Sequence, residues 1–361
     1  MIEANVAFTG VDSTENPYPG LSVLRSIKEA PEFSGKTIAL TYSSLCTGLY
    51  QHQYVNQAFL VPYPSESEEY LFSRIQEIHA KLPLQVILPC LDSEIATYAR
   101  LAPRLNEIGI RTYLPSEESV KIRSKVFLAE FCKQHDFSCP ETYVIYQPKE
   151  LEWRAGQLHY PFVLKGNIID SVDIYNLQEA NVFFNRLAYE WGLPLIMQEY
   201  IDGEEYDIAV VANDHSEVVA SVTMKKIGLT RKGKAFAGVT IEGKNFEELV
   251  RQVVKALKWR GPMEIEVKHN ENLNKTYIIE INARLPAWIY TSVGAGLNLP
   301  LVYLQLALGQ EVSAVLSYKK GTMFVRVTKD SFFLFEQLSQ LNLKGELDWT
   351  EQKIFVNDFL I

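Results

Sequence analysis

The first third of the chain alternates short apolar runs with stretches in which apolar residues recur every three or four positions. The apolar runs, each bounded by polar or turn-forming residues, lie at residues 5–11, 36–44, 84–90 and 110–115. The spacing of a helix face occurs at Leu71, Ile75, Ile78 and Leu82. A second helical stretch ends at Gly109. Strands that alternate with helices predict a parallel, doubly wound sheet.

Beyond about residue 116 the pattern changes to more closely spaced strands. Predicted strands lie at residues 142–147, 161–166, 195–201, 205–213 and 218–227. Asn176 and Asn245 each precede a glutamate by three positions, which is typical of helix starts and predicts helices around 177–191 and 249–257. This pattern indicates an α+β region with mostly antiparallel pairing. A small C-terminal set of strands is predicted within residues 317–333 and 353–356.

Composition is ordinary for a globular protein of several subdomains. The 361 residues are 47% hydrophobic and 22% charged, with a net charge of −9. The acidic balance argues against nucleic-acid binding by overall charge, but it leaves room for a local basic pocket. The N-terminus does not resemble a signal peptide, no apolar run is long enough for a membrane, and the four cysteines contain no CxxC pair. We therefore expect a cytoplasmic protein with free or buried thiols and no membrane partner.

Two strands near residue 273 carry the most informative polar residues. Residues 263–269 and 276–284 alternate in polarity and are joined by a polar turn, so a hairpin brings Glu266 opposite Glu280. Opposed carboxylates repel each other, and a divalent cation between them converts that repulsion into coordination. Asn282 supplies another oxygen on the same face, and Arg284, one step further, can grip a phosphate. The alternatives are a solvated strand face and an Arg284 that pairs with Glu264 and holds the hairpin together.

Two further stretches favour a nucleotide site. Lys165 ends an apolar strand, where it either binds an anion or extends to solvent. In the segment QEYIDGEEY, at residues 198–206, an apolar strand runs into a polar turn. Its backbone groups can hold the edge of a flat heterocycle and Glu205 can accept bonds from ribose hydroxyls, whereas the alternative is a solvated acidic hairpin. The loop after the first strand lacks GxGxxG, so we predict no nicotinamide cofactor.

Together and in this order, these stretches resemble the ATP-grasp superfamily of ligases, which includes carbamoyl phosphate synthetase, biotin carboxylase and D-alanine–D-alanine ligase. The E-x-N-x-R strand at 280–284, preceded by Gly261 and Glu266, is the most specific element, and QEYIDGEEY is the second. The resemblance covers nearly the whole chain. It implies an α/β and α+β protein, a Rossmann-like pre-ATP-grasp domain followed by a two-subdomain ATP-grasp fold. The implied domains are 1–115 (pre-ATP-grasp), 116–197 (linker helices and small lid subdomain) and 198–361 (large subdomain with the acidic hairpin and C-terminal strands).

Applied to this chain, the resemblance implies which residues would bind ATP and Mg²⁺ and which would act in catalysis. The nucleotide-binding lysines would be Lys125 and Lys165. The adenine hinge would be Gln198, Glu199, Tyr200 and Ile201, followed by the ribose carboxylate, Glu205. The magnesium ligands would be Glu266, Glu280 and Asn282. The catalytic residue that stabilises the transferred phosphate would be Arg284.

The implied activity is that of an ATP-dependent carboxylate–amine ligase, an enzyme that forms an amide through an acyl phosphate and releases ADP and phosphate. Its partners would be small-molecule or peptide carboxylates and amines, and a homodimer is kept open as the assembly. One alternative is a bicarbonate-activating carboxylase or carbamoyl-phosphate-type enzyme. Another is a non-catalytic nucleotide-binding subunit, which the glycine-poor loop at residues 166–176 favours.

Two segments have open interpretations. The basic segment at residues 224–234 either closes over ATP or forms a solvated hairpin. At the carboxyl edge of the first sheet, the loop at 12–20 and the pair Asp92 and Glu94 are candidates for contact with the acceptor. For the stretch with Asp92 and Glu94 we favour a structural role instead, in which Asp92 or Ser93 is the N-cap of the following helix.

Overall fold

The computed structural model describes residues 1–14, 17–166, 170–230, 233–327 and 330–350. Within them the strands are β1 (Val6–Phe8), β2 (Thr37–Thr41), β3 (Gln57–Leu60), β4 (Val86–Leu88), β5 (Thr142–Ile145), β6 (Phe162–Lys165), β7 (Ser171–Ile174), β8 (Leu195–Glu199), β9 (Glu204–Ala212), β10 (Val218–Leu229), β11 (Ala235–Thr240), β12 (Gly261–Asn270), β13 (Lys275–Asn282), β14 (Met323–Val325) and β15 (Glu346–Asp348).

The α-helices of the same residues are α1 (Pro19–Lys28), α2 (Glu68–Lys81), α3 (Asp92–Glu107), α4 (Glu117–Ile122), α5 (Leu128–Gln134), α6 (Pro148–Leu158), α7 (Leu177–Trp191), α8 (Lys244–Ala256), α9 (Tyr290–Gly294), α10 (Leu299–Ala307) and α11 (Phe335–Lys344). A short 3-10 helix covers Thr47–Tyr50. None of these helices has the length and apolarity needed to cross a bilayer.

The first sheet is parallel over β1 to β4, as predicted, but its members differ in part. β3 was not predicted, and the predicted strand at 110–115 contributes only a bridge between Arg111 and Val86. The strand order is β15-β3-β2-β1-β4, in which β1 to β4 pair in parallel and β15 is antiparallel on the β3 edge. The strands are short and apolar because both faces are covered: α1 packs on one face, and α2 and α3 on the other. The sequence pattern did not predict β15, in which the chain returns from its far end to the first sheet.

A small antiparallel sheet, in the order β5-β8-β6-β7, follows along the chain. Helices α6 and α7 cover it, and their apolar residues form a separate core with those of the strands. Its main members include Leu151, Phe162, Leu164, Phe184 and Leu187. This sheet therefore packs as a distinct subdomain.

The largest sheet is antiparallel throughout, in the order β13-β12-β9-β10-β11-β14. One face packs on α8, where Val250 and Val253 join the core formed with Ile208 and Ile265. The apolar part of the other face packs on α10 and the first sheet. The remainder of that second face carries the charged residues described below.

Local details both confirm and correct the sequence-based expectations. Asn176 caps α7 and its side chain accepts the Glu179 amide, as predicted. The prediction for Asn245 is wrong, because α8 begins at Lys244 after Gly243. The earlier start puts Phe246 on the buried face, with its ring centroid 5.2 Å from that of Tyr206. Of the predicted C-terminal strands, the structure has β14 in residues 317–333, and residues 353–356 lie outside the described residues. All four cysteines are free.

Candidate active site

Strand register lines one face of the large sheet with charged and amide side chains. Asp207 on β9 pairs with Glu266 on β12, which in turn pairs with Glu280 on β13. The predicted opposition of Glu266 and Glu280 is therefore confirmed. Glu264 pairs with Asn282 one same-face step away, because side chains two positions apart lie on the same side of a strand.

The carboxylate cluster found among the described residues differs in membership from the predicted magnesium ligands. Asp207, Glu264 and Glu266 each offer an oxygen within 4.8 Å of the others. Asn282 presents its amide nitrogen to this cluster, 3.0 Å from Glu264 Oε2 and 3.1 Å from Glu266 Oε1. Glu280 instead lies 3.5 Å from the Lys125 ammonium. Carboxylate oxygens gathered in this way suit a hard divalent cation.

An ammonium group contacts the cluster. Lys226 Nζ lies 2.9 Å from Glu266, 3.1 Å from Asp207 and 3.5 Å from Glu205. Burial raises the pKa of Asp207, whereas the pKa of Glu266 falls to about 2 because Lys226 outweighs its burial. Burial opposes the charge on Lys226, but the surrounding carboxylates raise its pKa overall. Glu266 and Lys226 are thus both ionised at neutral pH.

Arg284 joins the hairpin to the first sheet. Its Nε lies 2.8 Å from Asp92 Oδ2, and its guanidinium also contacts Glu264. Asp92 further accepts the Ala283 amide at 3.0 Å and pairs with Arg123 at 3.0 Å. Burial opposes the guanidinium charge, but the two carboxylates raise the pKa of Arg284. The pairing of Arg284 with Glu264, expected as the alternative to a phosphate contact, is present.

The expectation that Asp92 or Ser93 caps a helix is wrong. Helix α3 begins at Asp92 itself, with Leu91 as its N-cap residue. Glu94 completes the helix start instead, because its carboxylate accepts the Leu91 and Cys90 amides, each at 2.9 Å. The Asp92 side chain is thereby left to bind the two arginines.

The two predicted lysines share one narrow pocket between the small sheet and the hairpin. Lys165 ends β6 and is 7% exposed, and burial lowers its pKa to about 8. Apart from these lysines, the lining residues are Leu128, Ala129, Cys139, Thr142, Ile196, Gln198, Ile278 and Ile279. The space inside is about 10 Å³, the room of about one water molecule. The pocket thus combines mainly apolar walls with two cations, and its space is too small for a nucleotide.

The predicted hinge connects the small and large sheets. β8 ends at Glu199, whose amide donates to Glu141 O at 2.8 Å and whose carboxylate accepts the Glu141 amide at 3.1 Å. Lys268 donates to Ile201 O at 3.2 Å and lies 4.9 Å from the centre of the Tyr200 ring. Glu205 follows on β9, where it pairs with Lys268 at 3.4 Å and with Lys226. The hinge residues and Glu205 thus lie close to the lysines and the carboxylate face, whereas Arg284 lies where the hairpin meets the first sheet.

A larger cavity, of about 460 Å³, lies elsewhere, between the β9–β10 turn, α8 and residues 312–316. None of the predicted site residues line it. The convergence of cations and carboxylates, rather than cavity size, therefore identifies the candidate site.

Sequence reasoning gave no individual site role to four charged residues that contact this site. They are Asp207, Lys226 and Lys268, together with Glu264, which had been considered only as a partner for Arg284. The missed signal was the period of two along each strand. It puts Asp207 on the face of Glu205, and it puts Glu264 and Lys268 on the face of Glu266.

Comparisons with known proteins agree with this architecture. Residues 193–330 match a family described as ATP-grasp in the biosynthetic pathway with Ter operon. The chain has an ATP-grasp fold.

Solved ATP-grasp structures are similar over most of the chain. An L-amino acid ligase from Bacillus licheniformis has a TM-score of 0.64 and 17% identity, covering 85% of this chain and 75% of that one. An N5-carboxyaminoimidazole synthetase from Staphylococcus aureus, complexed with ADP, has a TM-score of 0.65 and 14% identity. The match covers 88% of this chain and 81% of that one. A third similar structure is the biotin carboxylase domain of a Hydrogenobacter thermophilus 2-oxoglutarate carboxylase, with MgADP and bicarbonate. It has a TM-score of 0.68 and 14% identity, and the match covers 90% of this chain and 74% of that one. No curated protein matches the chain.

Proposed function

We propose that this ATP-grasp protein is an ATP-dependent carboxylate–amine ligase. The observation that carries the proposal is the pocket between the small sheet and the hairpin, where Lys125 and Lys165 meet the edge of the carboxylate face. In the reaction, the terminal phosphoryl group of ATP passes to a substrate carboxylate and ADP leaves. An amine then attacks the acyl phosphate, and the products are an amide and phosphate. Positioning and charge neutralisation accomplish most of such a transfer.

The protein residues divide the binding of ATP among them. Lys125 and Lys165 neutralise phosphate oxygens. Residues 198–201 hold the adenine edge through backbone groups, and the walls of Ile196 and Ile278 enclose the ring. Glu205 accepts from ribose hydroxyls once its lysine partners shift to the nucleotide. Arg284 stabilises the transferred phosphoryl group while Asp92 orients its guanidinium.

The donor set fits Mg²⁺, which in proteins takes oxygen ligands and completes its shell with substrate phosphates. We assign the metal to Glu266, Glu280 and Asn282, with Asp207 and Glu264 close by. Bound there, Mg²⁺ would neutralise the phosphate charge. The Asn282 amide presents its nitrogen to two carboxylates, and a rotated amide would offer its oxygen instead.

The acceptor site lies, in this proposal, where Asp92 and Arg284 join the first sheet to the hairpin. Its substrates are a small-molecule or peptide carboxylate and an amine, and neither nucleic acid nor a membrane is a partner. Domain limits at 115/116 and 197/198 and a cytoplasmic location belong to the same proposal, and a homodimer is kept open. The second limit falls within β8, a strand of the small sheet, and the chain leaves that sheet only after Glu199.

The test measures ADP and phosphate release when the purified protein receives Mg²⁺, ATP and pools of carboxylic acids and amines. Release that needs both an acid and an amine is expected, and Lys165→Met is the inactive control. Release that needs only bicarbonate would identify a carboxylase-type enzyme instead. Tight ATP binding with no release in any pool would indicate a non-catalytic nucleotide-binding subunit.

A further inference from the structure

Two of the four cysteines lie side by side where the chain approaches the small sheet. Cys132 is a fully buried residue of α5, and Cys139 is half-buried on the segment that leads to β5. Their thiols interact directly, with the Cys132 S–H donating to the Cys139 sulfur. The turn between them is closed by the Phe137 amide, which donates to Cys132 O at 2.8 Å. The fold thus holds two thiols at a contact that a disulfide could replace.

The segment that carries Cys139 is also one side of the hinge to the small sheet. Cys132 belongs to the same core as the large sheet and Cys139 packs against that core, whereas Ile145 of β5 belongs to the separate core of the small sheet. Two residues after Cys139, Glu141 exchanges hydrogen bonds with Glu199 at the end of β8, so the entry to the small sheet and the exit from it are joined there. A covalent bond at Cys139 would therefore restrain both connections.

The same segment forms a wall of the pocket that holds Lys125 and Lys165. Cys139 lines this pocket together with Leu128 and Ala129, which lie on α5 one turn before Cys132. The pocket has room for about one water molecule, so a nucleotide enters only when its walls separate. A disulfide between Cys132 and Cys139 would hold two of these walls together.

The pair also has the reactivity that peroxide oxidation needs. The hydrogen bond from Cys132 lowers the pKa of Cys139, outweighing burial and the nearby Glu199 carboxylate, and it raises the pKa of Cys132. By contrast, burial raises the pKa of Cys46 to about 11 and also raises the pKa of Cys90. A thiolate attacks a peroxide, and a second thiol beside it then converts the product to a disulfide. We therefore expect Cys139 to react first and Cys132 second.

We propose that Cys132 and Cys139 form a disulfide when the protein meets hydrogen peroxide, and that this bond keeps the pocket of Lys125 and Lys165 closed. The Cys139 sulfur attacks one peroxide oxygen, the O–O bond breaks and water leaves. The Cys132 sulfur then attacks the sulfenic sulfur of Cys139, the S–O bond breaks and a second water leaves. Each water carries one thiol proton, the two sulfurs together lose two electrons, and the peroxide is reduced. The effect on ATP binding rests on the proposed function, whereas formation of the disulfide does not.

The first experiment identifies the linked cysteines. The reduced full chain is exposed to equimolar hydrogen peroxide and digested with trypsin, which separates the two cysteines at Lys133. Mass spectrometry should find the peptides of Cys132 and Cys139 joined by a disulfide. Cys46→Ser, which removes the other half-buried thiol, is the matched control and should form the same link. In Cys132→Ala, which keeps an apolar group in the core, dimedone should trap a sulfenic acid on Cys139.

Oxidation of Cys46 or Cys90 ahead of the pair, or a Cys139 that does not link to Cys132, would overturn the proposal. Labelling of Cys46 by dimedone as fast as Cys139 in Cys132→Ala would also overturn it. If Cys132→Ala does not fold, the order of oxidation in the wild type and in Cys46→Ser decides.

The second experiment measures the binding of a non-hydrolysable ATP analogue with Mg²⁺ by isothermal titration. Oxidation should weaken binding to the wild type and to Cys46→Ser about tenfold or more, because only molecules with an open pocket bind, and dithiothreitol should restore it. Binding to Cys139→Ser should not respond to peroxide. Unchanged affinity of the linked wild type would overturn the effect on the pocket. Failure of the analogue to bind even the reduced protein would count against the proposed ligase activity, and the peptide analysis would still judge the disulfide.

Discussion

Replacement of Lys165 by methionine should stabilise the nucleotide-free protein and weaken its binding of ATP. Lys165 is 7% exposed, and burial lowers the pKa of its ammonium from 10.5 to about 8. At about 1.4 kcal/mol per pKa unit, the buried charge costs roughly 3 kcal/mol at neutral pH, as an upper value. Methionine has a similar length and no charge. We therefore expect Lys165→Met to gain up to about 3 kcal/mol in free energy of unfolding at pH 7.

The cost depends on pH with a definite sign. Below about pH 8, Lys165 is protonated in both the folded and unfolded chain, and the cost is fully present. Between pH 8 and 10.5 the unfolded chain binds more protons, so the stability of the wild type rises with pH. Lys165→Met lacks this rise, and its advantage disappears as the pH approaches 10.5.

The assay is urea unfolding at pH 7 and pH 9.5, with isothermal titration of ATP and Mg²⁺ at pH 7. Lys149→Met, an exposed lysine on α6 of the same subdomain, is the control. Loss of a charge-assisted contact should cost about 1.5–3 kcal/mol of ATP binding energy in Lys165→Met. Unchanged affinity in the folded variant would refute the nucleotide role of Lys165. A stability difference from the wild type that is the same at both pH values would refute the burial argument.

Three further outcomes are expected. ADP with Mg²⁺ should raise the melting temperature of the wild type, because it binds only the folded chain, and an unmoved melting curve would contradict a nucleotide site. Glu280→Gln should change the stability of the nucleotide-free protein by less than about 1 kcal/mol, because the contact of Glu280 with Lys125 is partly exposed. The same substitution should abolish most of the rise in melting temperature caused by ADP and Mg²⁺. Arg284→Ala should lower the free energy of unfolding by about 3–5 kcal/mol, because Asp92 and Glu264 lose their buried partner; a loss below about 1 kcal/mol in urea titrations would show that the pairing matters little.

Patterns local to one or two strands could be predicted. Glu266 and Glu280 face each other as expected from a hairpin with its turn in a clearly polar run. The observed pairing includes a one-residue register shift between Glu266 and Val267, which the sequence pattern did not predict. The start of α7 at Asn176 was equally accessible, since an N-cap depends on residues within one helical turn. The ATP-grasp fold was implied by a resemblance to known ligases, which rests on motifs of this local kind at residues 198–206 and 280–284.

Contacts between distant strands could not be predicted in the same way. Lys226 reaches Asp207 and Glu266 only because β9 lies between β10 and β12, an order that no local pattern specifies. Aspartate is a residue type that often caps helices, yet the side chain of Asp92 pairs with Arg284, more than a hundred residues away along the chain. A buried charge selects its partner by proximity in the folded state, because an unpaired ion in the interior costs several kcal/mol.

Local patterns thus predict most of the strands and helices and the oxygen-rich face of the hairpin, since strand and helix periods are set by the backbone within a few residues. Which cation meets which carboxylate depends on how the sheets pack. The tertiary structure brought Lys125 to Glu280, Arg284 to Asp92 and Lys226 into the cluster. Charges pair across space rather than along the chain, because electrostatic energy depends on distance and burial, and both arise only when the sheets pack.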